Sequence, residues 1–157
     1  EIYFGNQDIK NATEREILAQ ISVVNQSAFL FNASLYENIT MFGQTPAQDS
    51  AAYQALLEEL NLTDLAKRVG EKPLGDFGDH ISGGERQRIC IARAMQKHAS
   101  VMVFDEPTTG LDPENVKLIQ EFIFRQKHIT RIVITHDWSK EYLDRFDEVI
   151  RVPGAAD

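Results

Sequence analysis

The sequence is poor in cysteine: Cys90 stands alone among 157 residues, so no intrachain disulfide can form. A reducing compartment fits that usage. Long hydrophobic runs are missing too. Val101-Met102-Val103-Phe104 is typical of the longest apolar stretches, far short of the roughly 18 to 20 residues that cross a bilayer. Basic residues are outnumbered, 16 Lys and Arg against 24 Asp and Glu, for a net charge of −8. That balance repels nucleic acid and argues against it as a partner. The chain opens at Glu1 without methionine or a charged-then-apolar leader, and reads as a trimmed segment. One more element is absent. No stretch spells G-x-x-x-x-G-K-[ST], whose consecutive backbone N–H groups and lysine cradle nucleotide phosphates.

What is present suits a globular domain, with 43% hydrophobic and 25% charged residues. Gly5-Asn6 between Ile2/Phe4 and Ile9 predicts two short strands around a turn. Thr13 to Glu16 fits a capping box opening a helix, and Ile21 to Val24 reads as a strand. Residues 46–97 are mostly helical in pattern, with helices expected over Ala51 to Leu60 and Thr63 to Val69 and a Gly-rich loop at 70–78. Beyond them, Val101 to Phe104 and Arg131 to Ile134 resemble strands buried on both faces of a parallel sheet. A helix from Pro113 to Gln126, another from Ser139 to Arg145 and a strand from Glu148 to Val152 complete an alternating order. The expected fold class is α/β, an open parallel sheet with ligands at the carboxyl ends of its strands.

Two places carry chemistry. The strand ending in Asp105-Glu106 sets two acids at the sheet's carboxyl edge, Asp105 suited to Mg²⁺ and Glu106 to polarising an attacking water. A lone acid pair more often just ends a strand. Ile81-Ser82-Gly83-Gly84-Glu85-Arg86-Gln87-Arg88 precedes the apolar helix Ile89 to Met95, so a hydroxyl, free N–H groups and the positive helix end can face an anion. The plain alternative is an N-cap with flexible glycines.

With these residues in view, the chain resembles the nucleotide-binding domains of ABC transporters. Ile81 to Glu85 resembles the Leu-Ser-Gly-Gly-Gln signature with two conservative departures, and Val101 to Glu106 the Walker B strand. Gln26 resembles the Q-loop glutamine, Gly110-Leu111-Asp112 the D-loop, and Thr135-His136 the switch histidine. Phe29 to Ile39, continued by Met41-Phe42-Gly43, resembles the exporter-type stretch that receives coupling helices of the membrane domain, whereas Thr108 to Asp112 is more importer-like. The direction of transport stays open at this point.

The resemblance implies a P-loop NTPase core divided between residues 1–45 and 98–157, with a helical signature subdomain at 46–97. It implies ATP and Mg²⁺ as cofactors. Glu106, His136 and Gln26 take catalytic roles, Asp105 and Gln26 serve the metal, and Ser82, Gly83, Gly84, Glu85 and Asp112 face nucleotide. The implied partners are a second ATPase domain in a head-to-tail dimer, and membrane domains met through the Q-loop region and a loop at Asp76. The implied location is the cytoplasmic face of a membrane. A phosphate loop and an adenine-stacking aromatic would lie upstream of Glu1, so the 157 residues alone are expected to be inactive. Two other readings compete. A DNA-repair ATPase needs long inserts for which the spacing from Gln26 to Ser82 leaves no room, and a non-catalytic domain is at odds with intact Glu106 and His136. Asp76-Phe77-Gly78 spells a kinase triplet without a kinase catalytic loop before it. Cys90 reads as core packing, and His80, His98 and His128 lack metal-ligand spacing.

Overall fold

The computed structural model describes residues 2–43, 46–75 and 80–152. Asp76 and its loop lie outside the described residues. The chain opens on a two-stranded antiparallel ribbon, β1 (Tyr3–Phe4) and β2 (Gln7–Asp8). Gly5 turns between them at φ 56°, a conformation that favours glycine. Helix α1 (Glu14–Gln20) starts where expected, because Thr13 accepts from the Glu16 amide while the Glu16 carboxylate accepts from the Thr13 amide.

The main sheet has three parallel strands in the order β3 (Ile21–Val24), β4 (Val101–Asp105) and β5 (Thr130–Ile134). Its register sets Val24 beside Phe104 and Phe104 beside Val133. Among the described residues, the elements between β3 and β4 are helices: α2 (Leu35–Thr40), α3 (Ala51–Glu59), α4 (Thr63–Val69) and α5 (Gly83–Met95). Helix α6 (Pro113–Arg125) joins β4 to β5, and α7 (Lys140–Leu143) follows.

One face of the sheet is dry. Ser22, Val24, Met102 and Phe104 are buried there with Ile89, Ile91, Ile119 and Phe122 of the flanking helices. Ser22 ties α5 to the sheet by donating to the Ala94 carbonyl at 2.9 Å. Arg131 donates to the Ile123 and Phe124 carbonyls at 3.2 and 3.1 Å at the end of α6, where the Ile123 carbonyl also accepts from the Gln126 amide. The alternation of strand side chains sends the next residues to the opposite face, where Val23, Ile132 and Ile134 are half exposed. This corrects the expectation of strands buried on both faces. Apolar runs identify a strand, but a second covering layer is needed to bury the other side, and the described residues supply none.

Three further boundaries differ from expectation. Residues 148–152 form no strand, and Ile150 and Val152 are about three-quarters exposed, because they pair with no neighbouring strand that would satisfy their backbone groups. Helix α7 is four residues long, against the seven expected from Ser139 to Arg145. Helix α5 begins at Gly83 instead of Ile89, so both signature glycines lie inside its first turn. No helix among the described residues is long and apolar enough to cross a membrane.

Candidate nucleotide site

At the carboxyl end of β4 the chain enters a turn in which Glu106 takes φ 46°. A left-handed backbone is uncommon for a residue with a Cβ and persists where its surroundings hold it. Here the Glu106 amide donates to Ile134 at 2.9 Å, and the Glu106 carbonyl accepts from the Thr109 amide at 3.2 Å. Its side chain is aimed at three donors. Gln26 Nε2 and Thr109 Oγ1 donate to Oε2, each at 2.9 Å, and His136 Nε2 lies 2.7 Å from Oε1. Residues 26, 106 and 136 therefore meet at one point, each carried on the loop after a different strand of the sheet. The imidazole is mostly exposed while the carboxylate is mostly covered. Asp105, half-buried, is the last residue of β4.

The second cluster is the amino end of α5. Ser82 is its N-cap: the Ser82 hydroxyl accepts from the Glu85 amide at 3.2 Å, and Glu85 Oε2 accepts from the Ser82 amide at 3.0 Å. Ser82 and Gly83 are exposed and Gly84 is buried. Burial pushes the Glu85 carboxyl up, but hydrogen bonds from Ser82 and from Arg68, together with the Arg68 charge, outweigh it and hold the group below its ordinary value. What the structure shows at this helix end is the N-cap.

The two clusters are joined through residues 110–115. Asp112 caps α6 by accepting from the Glu114 and Asn115 amides at 3.1 Å each, and from Asn115 Nδ2 at 2.6 Å. Hydrogen bonding, first from the Asn115 side chain, holds the Asp112 carboxyl low. Arg88 in α5 donates to Asn115 Oδ1. A Cβ added to Gly84 would overlap the Asn115 side chain, and one added to Gly83 would meet Leu111 Cδ2 at 3.6 Å. Glycine at 84 is therefore a packing requirement between α5 and α6. Gly84→Ala is expected to cost about 1–3 kcal/mol through overpacking, read as a lowered urea midpoint, whereas Gly83→Ala should leave that midpoint nearly unchanged.

No hydrogen bond among the described residues joins Ser82 to Glu106: Ser82 bonds Glu85, and Glu106 meets Gln26, Thr109 and His136. Thr109 and Arg68 were not singled out by the sequence as partners of site residues. Thr109 directly precedes Gly110-Leu111-Asp112 and lies three residues from Glu106, within reach of a local pattern. Arg68 is 17 residues from Glu85 on another helix, and no local pattern marks it. Cys90 is partly buried and packed against the core, with its thiol pushed up by burial.

A family model described as ABC transporter matches residues 1–109. The ATP-dependent lipid A-core flippase of Francisella tularensis subsp. holarctica (strain OSU18) is 31% identical over 158 residues, covering 98% of this chain and 26% of the flippase. Multidrug resistance protein pgp-1 of Caenorhabditis elegans is 34% identical over 143 residues, covering 87% of this chain and 11% of that protein. A solved bacterial Atm1-family ABC exporter with ATP bound superposes with a TM-score of 0.70 at 31% identity, over 83% of this chain and 24% of the exporter. The parallel sheet with its helical layer is that of a P-loop NTPase. The chain belongs to the ABC transporter family, and its similarity runs to exporters and flippases. It spans about a quarter or less of the curated relatives named here.

Proposed function

We propose that these residues serve in a longer exporter as part of its ATPase domain, coupling ATP hydrolysis to transport at the cytoplasmic face of a membrane. The observation that carries this reading is the convergence of Gln26, Thr109 and His136 on Glu106. A carboxylate just past the end of the central strand, held by three donors from separate loops, is pre-organised to orient a water. His136, more exposed than its partner, is placed to exchange Glu106 for a γ-phosphate oxygen.

Asp105 and Gln26 fit Mg²⁺ by donor chemistry. Both offer hard oxygen atoms, and since the Gln26 amide spends its nitrogen on Glu106, its carbonyl oxygen is the atom it presents to a cation. Bound there, the ion would neutralise charge on the transferring phosphate. Residues 1–45 and 98–157 belong on this reading to the catalytic core and 46–97 to a helical signature subdomain. Ser82, Gly83, Gly84 and Glu85 would close over ATP held by a second ATPase domain docked head to tail, with Asp112 beside that interface. Membrane domains would dock at residues 29–42 and at the loop containing Asp76. A cleft of about 610 Å³ lined by Phe29, Met41, Cys90 and Arg93 supports the former, and Phe29, Met41 and Phe42 are about half exposed around it.

The 157 residues contain no phosphate loop, so by themselves they are expected to bind ATP no better than millimolar, because the loop's amides and lysine supply most phosphate contacts. Calorimetric titration checks this, and a micromolar isotherm would overturn it. The complete protein is expected to hydrolyse ATP in the presence of Mg²⁺. Failure to do so removes the proposed function.

A further inference from the structure

Glu85 puts a negative charge at the fifth signature position, within one helical turn of Ser82. The proposed function brings a nucleotide's terminal phosphates to that same helix end. A carboxylate there opposes them unless a cation answers it. Arg88 senses the Glu85 charge but spends its Nη1 on Asn115. Arg68, from α4, makes the direct contact: its Nη2 donates to both Glu85 oxygens at 2.9 and 3.0 Å. The Glu85 carboxylate is mostly covered, whereas the Arg68 side chain is more than half exposed. The same Glu85 Oε2 that takes Arg68 also takes the Ser82 amide, so the guanidinium holds the rotamer that caps α5. Lys72 and His80 line the hollow on the far side of Arg68 and add no carboxylate to it.

We infer that Arg68 is a positioning residue of the signature: it cancels the Glu85 charge and fixes the Ser82 turn so that this face accepts the triphosphate of a nucleotide. The inference rests on the proposed function. Without Arg68 the uncancelled Glu85 carboxylate would oppose bound phosphate in ground state and transition state alike, so the pair governs nucleotide affinity more than the chemical step.

The experiment compares ATP turnover in the complete transporter with that of Arg68→Gln, Glu85→Gln and the double variant. Arg68→Gln is expected to raise KM for ATP about tenfold, the order expected for one poorly screened charge a few ångströms away, with kcat within about twofold. In the Glu85→Gln background the same Arg68→Gln change should move KM by no more than about twofold, because no charge is left to cancel. Raising ionic strength to about 0.5 M, where the screening length is near 4 Å, should shrink the single-variant effect. An unchanged KM in Arg68→Gln overturns the inference. So does an equal loss in both backgrounds, the signature of a merely structural contact. Absence of turnover in the unmodified transporter overturns the ATPase reading itself and this inference with it.

Discussion

Replacing Glu106 by glutamine in the complete transporter is expected to lower ATP turnover by about 10²–10⁴-fold, the range for loss of a general base, while ATP binding changes little. The backbone should tolerate the change, since φ 46° at this position is held by main-chain bonds to Ile134 and Thr109 that do not involve the side chain. The side chain is less forgiving. Glu106 accepts from Gln26 and Thr109 through one oxygen and faces His136 through the other. A glutamine offers one acceptor and one donor, so either His136 or the Gln26–Thr109 pair faces an amide nitrogen. Base strength is lost together with part of the geometry. The expected phenotype is a closed, ATP-occupied dimer, checked by turnover alongside nucleotide retention. Unchanged turnover would remove Glu106 from the catalytic role proposed for it.

The largest effect on stability is expected from Asn38→Leu, at about 2–3 kcal/mol, because the Phe31 amide loses its Asn38 acceptor while Arg93 and the carbonyls of Phe31, Ala33 and Ser34 each lose one of their bonds. Asn38 is fully buried. Its Oδ1 accepts from the Phe31 amide at 2.8 Å and from Arg93 Nη2 at 3.1 Å, and its Nδ2 donates to the carbonyls of Phe31, Ala33 and Ser34 at 3.0–3.2 Å. Leucine matches the volume and none of the bonds. Arg93 would keep its bonds to the Phe29 and Asn38 carbonyls, at 2.9 and 2.8 Å, and its stacking on Phe31. A lowered urea midpoint with an unchanged slope is the expected result, and a shift below about 1 kcal/mol would show that the loop finds other partners.

Sequence signals are legible where the chemistry is local. Thr13-x-x-Glu16 announced its capping box, and Pro113 behind Asp112 announced the start of α6. Ser34-x-x-Glu37 and Ser82-x-x-Glu85 form the same box. The second hid behind its glycines, which made the helix look six residues shorter than it is. The strands at 101 and 131 were legible as apolar runs, but which of their faces is covered depends on layers that a run of valine and isoleucine does not encode. Val149, Ile150 and Val152 look like a strand for the same reason and are not one, since a strand needs a neighbour. In the candidate site, the order of Gln26, Glu106 and His136 along the chain pointed to a common location at strand ends. The left-handed turn at Glu106 and the Arg68 partner of Glu85 were not visible, because both arise from contacts between segments distant in sequence.

The clamp at Arg93 gives α5 the mechanics of a lever. Ser82 and Arg93 are eleven residues apart, about 16 Å along the helix, and the Arg93 end is fastened to the carbonyls of residues 29 and 38. A pivot of about 10° at the fastened end carries the signature serine through about 3 Å, on the scale of a hydrogen bond made or broken. In the proposed exporter, a small displacement at the apolar cleft would then reach the signature serine enlarged, provided the contact of Gly84 with Asn115 gives way.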